Sequence, residues 1–98
     1  MRHYDGSRKW DRIEAGLRRD GYTLDFACAI FDEQPAELHY TGSETGWELR
    51  RKLKEYCAAV GITEFLIVRN TSYLHDLHGH RVYELWTRSS CKATQIAG

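Results

Sequence analysis

Residues 22–41 read YTLDFACAIFDEQPAELHYT, and the way this stretch folds decides the architecture. Tyr22, Leu24, Phe26, Cys28 and Ile30 alternate with the residues between them, as a strand over 22–31 requires. Asp32-Glu33-Gln34-Pro35 breaks the pattern, and 36–41 resumes as a second, shorter strand, so the stretch predicts a β-hairpin. The hairpin's opposite face would carry Ala27, Ala29 and Phe31 against Ala36, Leu38 and Tyr40. Small side chains there point to an element packed closely on that side.

Upstream, Ser7 is placed as an N-cap, Trp10, Ile13 and Leu17 follow at i, i+3, i+7, and Gly21 stands where a helix would stop. This predicts an amphipathic helix over about 8–20. Downstream, Thr45-Gly-Trp-Glu48 fits a capping box, with Thr45 as N-cap and Glu48 reaching back from the third helical position. Leu49, Leu53, Tyr56, Cys57 and Val60 then mark one face of a second helix closed by Gly61. The β-branched and aromatic runs at 63–69 and 81–87 predict two further strands.

The element order is therefore α-β-β-α-β-β. It implies an α+β two-layer sandwich, a four-stranded, mainly antiparallel sheet with both helices on one face. Ninety-eight residues make one domain, 1–98, expected to be ordered over about 7–89 with a frayed tail at 90–98. No apolar run approaches the ~20 residues needed to cross a bilayer, and the polar start does not resemble a signal peptide. Cys28, Cys57 and Cys91 are odd in number and form no CxxC pair, so they read as buried thiols of a cytoplasmic chain.

The formal net charge is zero, but its distribution is uneven. Residues 20–49 hold Asp20, Asp25, Asp32, Glu33, Glu37, Glu44 and Glu48 with no Lys or Arg. The rest of the chain balances this block with a basic excess, and such asymmetry can mark an interaction surface. Asp32, Glu33, Glu37 and Glu44 are the candidate acidic contacts. Arg8, Arg12 and Arg19 on the first helix, with Arg50, Arg51, Lys52 and Lys54 on the second, are the candidate basic ones. If both helices cover one sheet face, their outer sides make a continuous positive surface able to track phosphates. A pI near 7 and the interleaved Asp11, Glu14 and Glu55 weigh against a dedicated nucleic-acid domain. Trp47, Tyr40 and Trp86 are hot-spot aromatics if exposed, although such residues are more often core.

The stretch LHDLHGH, 74–80, is the one place that looks like chemistry. Asp76 and Gly79 suit the first and fourth positions of a type I turn. That turn would make His75 and His80 cross-strand neighbours with His78 at the tip, and three imidazoles could hold zinc or another divalent metal with one position open. The turn chemistry explains the same residues without a metal, and HxxHxH matches no familiar metal motif. Cys28 opposite His39 across the first hairpin would be the nearest thing to a nucleophile and its base. No cofactor is expected, and enzymatic activity is the weaker reading.

These observations favour a small cytoplasmic interaction or regulatory module that docks on a protein partner by charge complementarity. Its size would suit a bacterial or phage accessory or inhibitor protein. Nucleic-acid binding through the basic helix faces is the alternative, and a metal-dependent hydrolase at His75, His78 and His80 the second alternative. A homodimer pairing acidic with basic regions is compatible with the same charges.

Overall fold

The fold comes from a computed structural model that describes residues 8–29 and 33–88, without the side chains of Arg8, His75 and Leu77. Ser7, Asp32, Cys91 and the tail at 90–98 lie outside the described residues. Helix α1 spans Arg8–Arg19, strand β1 Thr23–Cys28, helix α2 Gly46–Val60, strand β2 Phe65–Arg69, a one-turn helix α3 Leu74–Leu77, and strand β3 Tyr83–Thr87. The class is α+β, as the periodicities predict, but the sheet has three antiparallel strands in the order β1-β3-β2.

The missing strand is 36–41. Ala36–Leu38 form a turn of 3-10 helix instead, with Leu38 N–H donating to the Pro35 carbonyl at 3.1 Å and His39 N–H to that of Ala36 at 3.0 Å. Pro35 has no N–H to give a ladder, and His39 leaves the turn in a left-handed conformation, φ 58°. The Gln34 side-chain amide donates to the carbonyls of Ala27 (3.0 Å) and Ala29 (2.8 Å), where a hairpin partner would have supplied backbone N–H groups. With that edge of β1 taken by a side chain, the strand pairs through its other edge with β3, Cys28 opposite Tyr83 and Thr23 opposite Thr87. Asp25 is the extra residue of a bulge between Leu24 and Phe26.

β2 and β3 pair antiparallel, as expected, with Arg69 opposite Tyr83 and Phe65 opposite Thr87. They are not joined by a tight turn. The ladder ends at Arg69 and Tyr83, and residues 70–82 make a wide loop that contains α3. Gly79 N–H does reach the Asp76 carbonyl, 3.1 Å away, with Gly79 at φ 88°, so the foreseen turn bond exists inside that loop. Asn70 anchors the loop. Its side-chain oxygen accepts from Ser72 N–H and Oγ, while its amide donates to Glu84.

One face of the sheet packs on α2. Leu49, Leu53 and Cys57 meet Cys28, Tyr83 and Leu85, with Leu38 of the 3-10 turn inserted among them. Fully burying each such leucine stabilises the fold by about 1.5–3 kcal/mol. Tyr56 adds an edge-to-face contact with Phe26, ring centroids 5.5 Å apart. Thr45 and Glu48 form the capping box foreseen from sequence, at 3.1 and 2.9 Å, and Gly61 closes the helix at φ 82°.

Strand alternation turns Glu84 and Trp86 to the opposite face, which also holds the cluster of Ala27, Ala29, Tyr73 and Val82. The small alanines admit the buried Tyr73 ring, the close packing anticipated on that side. Trp86 is wholly buried, and the Arg18 guanidinium of α1 lies 5.2 Å from its ring centroid. The two helices therefore serve opposite faces. The expectation of both on one face is corrected, because an amphipathic stripe says which side of a helix faces inward but not which side of the sheet receives it.

Candidate docking surface

Helix α2 turns Leu49, Leu53 and Cys57 inward. At 100° per residue, Trp47, Arg50, Arg51 and Lys54 then share the outer side at i, i+3, i+4 and i+7. Trp47 is 72% exposed, and the three cations beside it are exposed as well. The Arg51 guanidinium sits 5.3 Å from the Trp47 ring centroid while donating to Glu55 at 3.1 Å. This cation–π contact holds the indole against the helix rather than leaving it to rotate freely. Together the four side chains frame an open hollow of about 200 Å³. Beyond Arg51 a second hollow of about 260 Å³ is lined by Glu37, His39, Tyr56 and Ala59 among others.

Gly46, the first helical residue, brings another cation to this end of α2. A Cβ built on Gly46 would stand 3.4 Å from Arg81 Cδ and Nε and 2.8 Å from the Tyr83 hydroxyl. The absence of a side chain at 46 thus lets Arg81 lie against the helix start. Arg50, Lys54 and Arg81 have no ion pair among the described residues.

The other candidate residues are distributed differently. Lys52 is bonded inward, its Nζ 2.7 Å from Glu44 Oε2 and 2.7 Å from the His39 carbonyl. Glu44 also accepts from the N–H groups of Thr41 and Gly42, and its side chain is only 4% exposed. Burial alone would push that carboxyl upward, but the Lys52 and backbone hydrogen bonds win and hold it at about 2. Glu44 and Lys52, expected on separate acidic and basic surfaces, staple the 41–45 loop to α2. Glu33 and Glu37 are exposed. Arg12 and Arg19 are exposed on α1, which lies across the sheet from α2, so the continuous ridge over both helices does not form. Arg88 binds Glu64 at 2.8 Å and the Asp20 carbonyl at 2.9 Å, over the Tyr22 ring.

His78 and His80 lie in the 70–82 loop, and the side chain of His75 falls outside the described residues. Asp76 is held by Arg69 at 2.9 Å. Because the strands end well before this loop, His75 and His80 are not cross-strand neighbours. Among the described residues no group of three His, Cys, Asp or Glu is set to hold a metal ion. Cys28 is fully buried, and burial, with Glu44 nearby, pushes its thiol up to about 12. It is therefore protonated at neutral pH and does not serve as a nucleophile there. Its supposed partner His39 is exposed, on the turn that replaced the second strand.

Sequence reasoning named Trp47 as a hot spot only on the condition that it is exposed, and it missed the position of Arg81. For Trp47 the signal was present: it precedes Leu49 by two residues, about 200° away from the inward stripe. For Arg81 there was none, since its neighbour in space is 35 positions away in sequence. Among the described residues no helix is long and apolar enough to cross a membrane. Neither a known family, nor a curated protein, nor a solved structure matches the chain.

Proposed function

We propose that this chain is a non-catalytic interaction module that docks an anionic macromolecule, by charge complementarity, on the Trp47–Arg50–Arg51–Lys54 surface. The observation that carries this reading is the indole left 72% exposed and braced by a cation among further exposed cations. An exposed Trp adds little to folding, whereas Trp and Arg supply much of the energy of an interface once a partner covers them. Arg50, Lys54 and Arg81 add attraction over distances of about a Debye length, ~10 Å in moderate salt. The acidic residues support a docking role less well, because Glu44 is spent internally. We assign the module to the cytoplasm, in keeping with the free, buried thiols of Cys28 and Cys57.

The test is capture of partners from the native host by the wild-type chain and by Trp47→Ala/Arg50→Ala, at low salt and at about 0.5 M salt. A partner lost both on substitution and in high salt supports the reading. Equal capture by both proteins contradicts it.

A further inference from the structure

We infer that the anionic partner of the Trp47 surface is single-stranded nucleic acid, with a base stacked on the open face of the indole and phosphates on Arg50, Lys54 and Arg81. This inference rests on the docking reading above and gives it a ligand class. Two anionic macromolecules could be drawn to such a surface, an acidic protein or a nucleic acid, and the apolar surroundings decide between them.

A standard protein interface covers roughly 800 Å² on each partner and has an apolar centre. Here Trp47 is the one large hydrophobic residue exposed at this end of α2 among those described. The remaining large hydrophobic residues exposed among those described are Val60, Leu66 and Leu74. Val60 lies thirteen residues further along α2, about 20 Å by helix rise, and the other two belong to β2 and α3. A surface with one exposed ring and several cations lacks the broad apolar patch that a protein partner would cover.

A single strand needs only what this surface has. Every base offers a π face, and base–aromatic stacking requires one accessible ring rather than a broad contact. Arg51 lies over the Trp47 ring, and the residue remains 72% exposed. Arg50 and Lys54 are one turn apart, about 6 Å along the helix, near the interval between successive phosphates of an extended strand. Arg81 adds an exposed cation against Gly46, at the start of α2. Glu55, one turn beyond Arg51, is engaged by it. A duplex keeps its bases stacked on each other and has none to offer the indole.

The experiment titrates the full chain with short fluorescent oligonucleotides of deoxythymidine and of uridine, a duplex of equal length, and polyglutamate, following anisotropy and Trp emission. Single strands should bind and quench Trp emission, with a log–log salt slope of about −2 for three phosphate contacts. Trp47→Ala should weaken binding about tenfold or more, Trp47→Phe should retain most of it, and Arg12→Ala/Arg19→Ala should leave it unchanged. Circular dichroism verifies that each variant is folded. Equal binding of the duplex, or indifference to Trp47→Ala, overturns the inference. Polyglutamate bound through Trp47 with no oligonucleotide bound overturns it while the docking reading survives. No binding of any polyanion overturns both.

Discussion

Replacing Gly46 by alanine should destabilise the protein although alanine is the better helix former. Alanine at a helix position gains up to about 1 kcal/mol over glycine, and less in the first turn. Against this, the new methyl carbon would stand 2.8 Å from the Tyr83 hydroxyl. Tyr83 sits in the core with Leu49, Leu53 and Leu85, so its ring cannot swing aside without disturbing them. Overpacking of this kind costs about 1–3 kcal/mol. The expected net loss is about 1–2 kcal/mol, or about 5–10 °C in the unfolding midpoint of a domain this size. Tyr83→Phe removes the obstructing oxygen. In the Tyr83→Phe background, Gly46→Ala should be neutral or stabilising, giving a coupling energy of at least about 1 kcal/mol in a double-mutant cycle followed by urea unfolding. If Gly46→Ala stabilises the wild-type chain, and by the same amount with or without the hydroxyl, the close approach of α2 to β3 described here is wrong.

The Glu84 carboxylate, 2% exposed, accepts from Trp86 Nε1 at 2.8 Å and from the Asn70 amide at 3.1 Å. Glu84→Ala should cost about 3–5 kcal/mol in urea unfolding, from two stranded donors and a cavity, and Glu84→Gln should cost less because it can still accept from Trp86. A loss below about 1 kcal/mol for the alanine variant would show that the network is not holding the 70–82 loop. Glu44 supplies a pH-dependent increment. Its carboxyl sits at about 2 in the folded chain against 4.5 ordinarily, so its stabilisation is present above pH 4.5 and is lost as pH falls toward 2. Thermal unfolding from pH 6 to pH 3 should therefore decline more steeply for wild type than for Glu44→Gln, and parallel declines would refute the Lys52–Glu44 staple.

Local signals in this chain were legible and non-local ones were not. The capping box at Thr45 and Glu48, the Gly61 stop and the Leu49–Leu53–Cys57 stripe each act within a few residues, and α2 follows from them. The alternation of β1 and the β-branched run of β2 are local in the same sense. Residues 36–41 alternate too, yet two long-range facts override the pattern. Gln34 donates to the carbonyls that a neighbouring strand would need, and Leu38 is buried as a peg against α2. The choice of β3 as central strand joins residues about sixty positions apart, which no window on the sequence contains. Charge was misleading for a related reason. Counted along the chain, 20–49 is a solid acidic block, but Lys52 lies eight residues from Glu44 and pairs with it. What survives as a candidate site is smaller than the charge pattern implied, and it is centred on an aromatic that sequence statistics assign to the core.

The docking surface is defined by where a polyanion touches the folded chain. Amide and indole chemical shifts, recorded while a heparin oligosaccharide is added, locate that contact directly. Shifts should concentrate at Trp47, Arg50, Arg51 and Lys54 and at Arg81, with the Trp47 indole N–H moving and the buried Trp86 indole still. Shifts concentrated instead at Arg12 and Arg19, on the far side of the sheet, would contradict the Trp47 docking surface.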